Sequence, residues 1–187
     1  VKNLEGKKAP KGDQAAFDGT SYAGAICFSS WGVTNSGLTW REYLQVPLMA
    51  TLLPGQTYYV SFRVSLADAC GYAIANLGAH FSVGPMTTNN MAPFTVAQHV
   101  GNPANSIITS SNTWTLIQGY YTATGGENYL TLGNFVSDAA TTAQAILPTA
   151  TNGEVHSDYS YYYFDDVQVL SPCQIPPEVL IPCGSPV

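Results

Sequence analysis

The sequence predicts an all-β fold: a two-sheet antiparallel β-sandwich of jelly-roll type with an extended Pro-rich C-terminal tail. Three observations carry that expectation. The hydrophobic period is two nearly everywhere, no long stretch keeps a 3.6-residue period between helix caps, and strand-sized segments are separated by clusters of Gly, Pro, Asn and Ser. At 187 residues the chain suits one well-buried core and is short for two. Residues 20–170 are therefore expected to form the sandwich, between an irregular N-terminal segment 1–19 and a tail or linker 171–187.

Thr57 to Leu66 is the clearest strand. Tyr58, Val60, Phe62, Val64 and Leu66 fall on one face, with Tyr59, Ser61, Arg63 and Ser65 on the other. The same reasoning places strands near 20–28, 41–49, 73–83, 94–100, 113–123, 128–137 and 159–170. Strands at this spacing without intervening helices fit a jelly roll. If successive strands alternate in direction, loops 29–40, 67–72, 101–112 and 138–158 share one end. The Pro54-Gly55 turn, the Gly125-Gly126 turn and segment 84–93 share the other. Binding surfaces tend to ride on loops held by a rigid scaffold, so the first, loop-rich end is the expected ligand end.

Charge narrows the function. The chain has six Lys and Arg against twelve Asp and Glu, a formal net charge of -6, and four of its cations lie at Lys2, Lys7, Lys8 and Lys11. No cationic stripe is left to neutralise phosphates, which argues against nucleic acid and anionic membrane as partners. Apolar runs are strand-sized, below the roughly 20 residues a spanning helix needs, so no membrane insertion is expected. No charged-then-apolar leader opens the chain, so an export signal is expected to lie outside it. The hydroxyl- and amide-rich composition points to an extracellular or cell-surface location.

Cysteine usage agrees with that compartment. Cys27, Cys70, Cys173 and Cys183 show neither close paired spacing nor a nearby His suited to zinc, so no zinc site is expected, and two disulfides are the expectation with free thiols as the alternative. Cys27 ends the first strand and Cys70 lies in the 67–72 loop at the same end, which pairs them. Cys173 and Cys183 then close a small loop inside the tail. That tail holds five prolines over residues 171–187 and is expected to be extended.

Three stretches carry a resemblance. They are Asp18-Gly19-Thr20-Ser21-Tyr22-Ala23-Gly24 with Arg41-Glu42-Tyr43-Leu44, then Tyr58-Tyr59-Val60-Ser61-Phe62 with Ser65-Leu66-Ala67-Asp68 and Tyr72-Ala73-Ile74 through Phe81-Ser82, and finally Trp114, Gly119-Tyr120, Gly125-Gly126-Glu127, Tyr129 to Phe135 and Tyr161 to Val167. Together they resemble a family of secreted and cell-surface modules of Bacteroidota with a galactose-binding-like, carbohydrate-binding-module-like jelly-roll fold. The resemblance implies location and fold more than ligand. Family members begin with an extra strand that this chain does not match, and their downstream partner domain is replaced by the Cys- and Pro-bearing tail. An open sheet edge is therefore expected, covered by segment 1–17 or by the tail of a neighbouring subunit.

Asp165 falls among Tyr161, Tyr163, Val167 and Val169 on the more apolar face of the last strand. A carboxylate there must be paired, hydrogen-bonded or metal-bound. The resemblance implies a structural calcium ligand at Asp165, and calcium suits hard oxygen donors. The residues themselves equally allow Asp165 to accept backbone N–H bonds or to pair with Arg41 or Arg63.

Catalysis has little to recommend it. There is no Gly-x-Ser-x-Gly elbow, His-Glu-x-x-His or phosphate loop. His80, His99 and His156 read as packing or surface residues, and the distant carboxylates Glu42 and Glu127 have no testable separation. Trp31 and Trp40 flank the 32–39 loop and are candidate platforms for sugar rings, whereas Trp114 enters a strand and reads as core. The alternative for the first two is that they close the ends of the core. Asp68, Asp138 and Asp158 share the loop-rich end and are candidates to bind sugar hydroxyls or a second cation, or else to cap turns.

The sequence therefore predicts a non-catalytic module with polysaccharide or surface glycan as partner, glycan-binding or adhesive. The alternative is a structural subunit of a filament or surface layer, with identical subunits as partners.

Overall fold

A computed structural model describes residues 12, 14–34, 39–88, 91–149 and 155–171. The strongest period-two segment becomes β3 (Thr57–Leu66), flanked by β10 (Tyr159–Leu170) and β7 (Thr115–Thr122), with β1 (Ala23–Ser29) beyond β10. The second sheet runs β2 (Leu44–Pro47), β8 (Tyr129–Asn134), β5 (Leu77–Ser82) and β6 (Val100–Gly101). A two-stranded ribbon pairs β4 (Tyr72–Ile74) with β9 (Ala143–Ala145). Every ladder is antiparallel. Apart from the ribbon, the chain changes sheets at each step except between β5 and β6, which is jelly-roll order.

Alternation explains the core. Val60, Phe62, Val64 and Leu66 of β3 lie inside with Ile117, Tyr162 and Phe164 from their neighbours and with Ala79, Phe81, Leu130 and Leu132 from the opposite sheet. Tyr162 is fully buried, yet its hydroxyl donates to the Ile108 carbonyl (2.7 Å) and accepts the Ile74 N–H (2.8 Å), so its burial leaves no orphaned polar group.

Two expected strands differ. The 73–83 stretch is split into β4 and β5 because Asn76 adopts φ 64°, where its side chain receives the Thr142 N–H at 3.0 Å. Of the 94–100 stretch only Val100 joins a ladder. Before it His99 alone adds a backbone bond to β5, its N–H reaching the Ala79 carbonyl at 2.8 Å.

The described residues 14–22 pack by side chains and carbonyls, while most of the segment 1–17 expected to cover an open edge lies outside the described residues. Tyr22 packs edge-on against Trp114 (5.7 Å) and Tyr163 (4.8 Å), and Ala15 receives the Trp114 indole N–H at 3.0 Å. The outer edge of β1 is blunted by carboxylates. Glu42 takes the Ile26 N–H at 2.9 Å and Asp138 takes the Ser29 N–H at 3.0 Å, which removes donors a complementing strand would need. Of the tail expected at 171–187, everything beyond Ser171 lies outside the described residues.

Candidate functional site

The registers bring the long loops to one end. Ser29 faces Tyr159, Tyr162 faces Leu66, and Val64 faces Thr115, so the loops after β1 and β3 and those before β7 and β10 emerge together. Leu77 faces Asn134 in the second sheet, adding the loop after β8. The expected grouping of the long loops is thus observed, except that segment 84–93, expected at the other end, reaches this one at Met91, whose carbonyl receives the Arg41 N–H.

A buried ion pair organises that end. Arg41 Nη2 lies 2.6 Å from Asp138 Oδ1, with side-chain exposures of 0% and 1%. The other guanidinium nitrogen, Nη1, donates to the Asn134 and Val136 carbonyls, so the cation is held on two sides. Asp138 opens a 3-10 turn, Asp138–Ala140, and its Oδ1 also accepts the Ser29 N–H. Its Oδ2 presses on Gly32 in the short helix α1 (Trp31–Thr34), where a Cβ would collide with it. Only glycine admits the carboxylate that closely.

Trp31 and Trp40 are each one residue from this scaffold, beside Gly32 and Arg41. Trp31 is 41% exposed and Trp40 37%. Val33 and Met91 are also exposed, and Met91 is tied in by the Arg41 N–H to its carbonyl (3.0 Å). Trp114, by contrast, is half-buried against Tyr22. The five expected ligand residues do not act alike. Asp158 is half-buried and its carbonyl receives the Ser30 N–H at 2.8 Å, which anchors the start of α1. Asp68 is half-buried and sits against Gly12, with its carbonyl bound to the Thr149 N–H. Asp138 requires correction: it is enclosed and committed to Arg41, so it positions the tryptophans instead of meeting a ligand. The sequence offered one clue. A buried cation needs a buried carboxylate, and Arg41 is one of two arginines, but 97 positions separate the partners.

Asp165 follows the hydrogen-bonding alternative. Its Oδ2 accepts the N–H of Phe17 (2.7 Å) and Asp18 (3.3 Å), and Oδ1 accepts that of Asp166 (2.8 Å). A bulge between Asp165 and Gln168 puts Asp166 at φ 48° and turns its carboxylate to Arg63 Nε at 3.3 Å. Calcium takes six to eight oxygen ligands, whereas Asp165 is surrounded by N–H donors beside a guanidinium. The residues present do not fit calcium. Among the described residues no group of three or more His, Cys, Asp or Glu could hold a metal.

The Cys27–Cys70 pairing is also corrected: the two are buried and no disulfide joins them. Cys27 Sγ donates to the Ala25 carbonyl (3.5 Å) and Cys70 Sγ accepts the Tyr161 N–H (3.2 Å), so each sulfur is oriented toward backbone. Burial pushes the Cys27 thiol up to about 12. Cys173 and Cys183 lie outside the described residues.

The carboxylates weighed for catalysis have structural work. Glu42 holds the Ile26 N–H. Glu127 accepts the hydroxyls of Tyr121 (2.6 Å) and Thr124 (2.7 Å) and the N–H groups of Thr124 and Gly125 (both 2.8 Å). Burial works against its charge, but these bonds outweigh it and hold the carboxyl at about 2.

Fold and site together define an all-β jelly-roll sandwich with two exposed tryptophans on a braced loop end. No family model matches the chain, and no curated protein matches it. Among solved structures it is similar to one described as "PbXyn10C CBM APO", at 15% identity over 84% of this chain and 73% of that one, with a TM-score of 0.34.

Proposed function

We propose that this chain is a non-catalytic, extracellular glycan-binding module whose platform is Trp31 and Trp40. The observation that carries the reading is that both indoles remain more than a third exposed although their backbone neighbours are locked to a buried ion pair. A pyranose ring presents an apolar face of C–H groups, and a rigid aromatic surface recognises it at little conformational cost. Asp158 lies beside this platform, with its backbone spent on α1 and its carboxylate suited to accept sugar hydroxyls.

Affinity electrophoresis through gels containing neutral polysaccharides tests the reading. The wild-type chain is retarded by at least one polysaccharide, and Trp31→Ala and Trp40→Ala each weaken retention about tenfold, equivalent to about 1.4 kcal/mol. Absence of retention on every gel and on a glycan array, or unchanged retention in both variants, overturns it.

A further inference from the structure

The segment 83–99, of which 83–88 and 91–99 are described, runs from β5 to β6 with no strand of its own among the described residues, and is held to the second sheet mainly by side chains. Leu44 and Phe81 pack with the core, which turns their neighbours Tyr43, Gln45 and His80 outward. Side chains, not a ladder, fasten the strap. Gln45 bonds both backbone groups of Met86 (2.9 and 2.8 Å), and the Tyr43 hydroxyl accepts the Phe94 N–H (3.0 Å) while its ring packs at a tilt against Phe94 (centroids 4.5 Å apart). Beyond Phe94 the fastenings are histidines. His80 Nδ1 lies 2.7 Å from the Ala97 carbonyl, His99 Nδ1 accepts the Phe81 N–H at 3.0 Å, and the two imidazoles stack 4.5 Å apart at 18°. The His99 N–H reaches the Ala79 carbonyl at 2.8 Å. His99 thus closes the part of the β5 edge that two-residue β6 leaves open.

We propose that residues 95–99 are an acid-released cover on the β5 edge, hinged at Phe94, with the His80–His99 stack as its latch. The hydrogen bonds dictate the tautomers. A carbonyl only accepts, so His80 carries its proton on Nδ1. A backbone N–H only donates, so His99 Nδ1 is bare and its proton is on Nε2. A second proton on His99 must go to Nδ1, where it faces the Phe81 N–H donor to donor. Protonation of His99 is incompatible with the closed latch.

The groups facing His99 are His80 from β5, Tyr121 from β7, whose ring centroid is 4.4 Å away, and Glu127 from the β7–β8 turn. Burial and then His80 lower its proton affinity from the usual 6.5, with Glu127 opposing them. An opened His99 regains the ordinary value, so release takes up a proton in the window below 6.5. Within that window the opening constant rises by up to about tenfold per pH unit. Tyr43 keeps Phe94 in place across this range, since its phenol does not titrate in acid.

Hydrogen exchange resolved at single amides in the whole chain, corrected for the intrinsic rate at each pH, tests this. From pH 7 to 4.5, Phe81 and His99 amides lose protection by up to about tenfold per unit, while the Leu132 amide in β8 does not. In His99→Gln, whose amide oxygen accepts the Phe81 N–H but does not titrate, Phe81 protection is independent of pH. Undiminished Phe81 protection in the wild type at pH 4.5, or an equal acid loss in His99→Gln, overturns the latch. Should His99→Gln not fold, NMR of the wild type decides. The Phe81 amide resonance follows the His99 imidazole titration if the latch exists, and a Phe81 amide unmoved while His99 protonates refutes it.

Discussion

Arg41 and Asp138 meet across 97 positions of sequence at 2.6 Å, both out of reach of water. Removing one partner strands the other charge in the interior, so Asp138→Ala is expected to cost about 3–5 kcal/mol. The pair Arg41→Met with Asp138→Leu should recover part of that loss, because no unpaired charge remains. Urea unfolding curves for the three variants measure this. A double variant less stable than Asp138→Ala would contradict the account, and so would an Asp138→Ala protein as stable as wild type.

The three tryptophans divide by environment. Trp114 contacts Tyr22 and donates to Ala15, so Trp114→Ala is expected to cost about 3 kcal/mol. Trp31→Ala and Trp40→Ala remove exposed rings and should shift stability by no more than about 0.5 kcal/mol each. Thermal melts check the contrast, and they also separate lost binding from lost fold when the polysaccharide gels are read.

Much of the architecture was legible because it rests on local alternation. Thr57 to Leu66 reads as a strand in sequence and is one, although as a central strand it is buried on both faces, with Tyr59, Ser61 and Ser65 enclosed where alternation put an open face, and strand parity placed the long loops together. Partnerships between distant positions were not legible. Asp138 looked like a loop ligand because nothing near it reveals Arg41, and Asp165 and Asp166 exchange roles through a bulge that periodicity does not show. The 94–100 stretch has strand composition, yet Phe94 and His99 spend their polar and aromatic groups on Tyr43, Phe81 and His80, so only its end enters the sheet. Trp31 and Trp40 were legible as candidates because they flank a loop, though their exposure was not.

Cys27 is enclosed, and its thiol is raised to about 12 by burial, so almost no thiolate exists near neutrality. Alkylation with iodoacetamide at pH 8, followed by peptide mass spectrometry, should leave Cys27 unmodified in the native chain and modify it fully in denaturant. Rapid native labelling of the Cys27 peptide would show that β1 opens far more readily than its packing implies.

Glu127 supplies an acid-sensitive fastening at the opposite end of the sandwich. Its carboxylate folds back over Thr124, Gly125 and Gly126, where Gly125 and Gly126 have φ of 103° and 94°, and it also holds the Tyr121 hydroxyl. Bonds to a charged acceptor are worth about 1.5–3 kcal/mol, and Gln cannot accept at both positions, since its amide nitrogen would meet the Gly125 N–H donor to donor. Glu127→Gln is therefore expected to lose about 2 kcal/mol at pH 7. The folded value near 2 lies below the ordinary 4.5. The charge then contributes its full stabilisation above about pH 4.5, and that contribution drains away as the pH falls toward 2, because the unfolded chain binds the proton first. The gap in urea midpoint between wild type and Glu127→Gln should accordingly be constant from pH 7 to 5 and narrow between pH 4.5 and 2. A gap that stays the same down to pH 2 would mean that the carboxylate acts through its shape alone and that its charge contributes nothing to the turn.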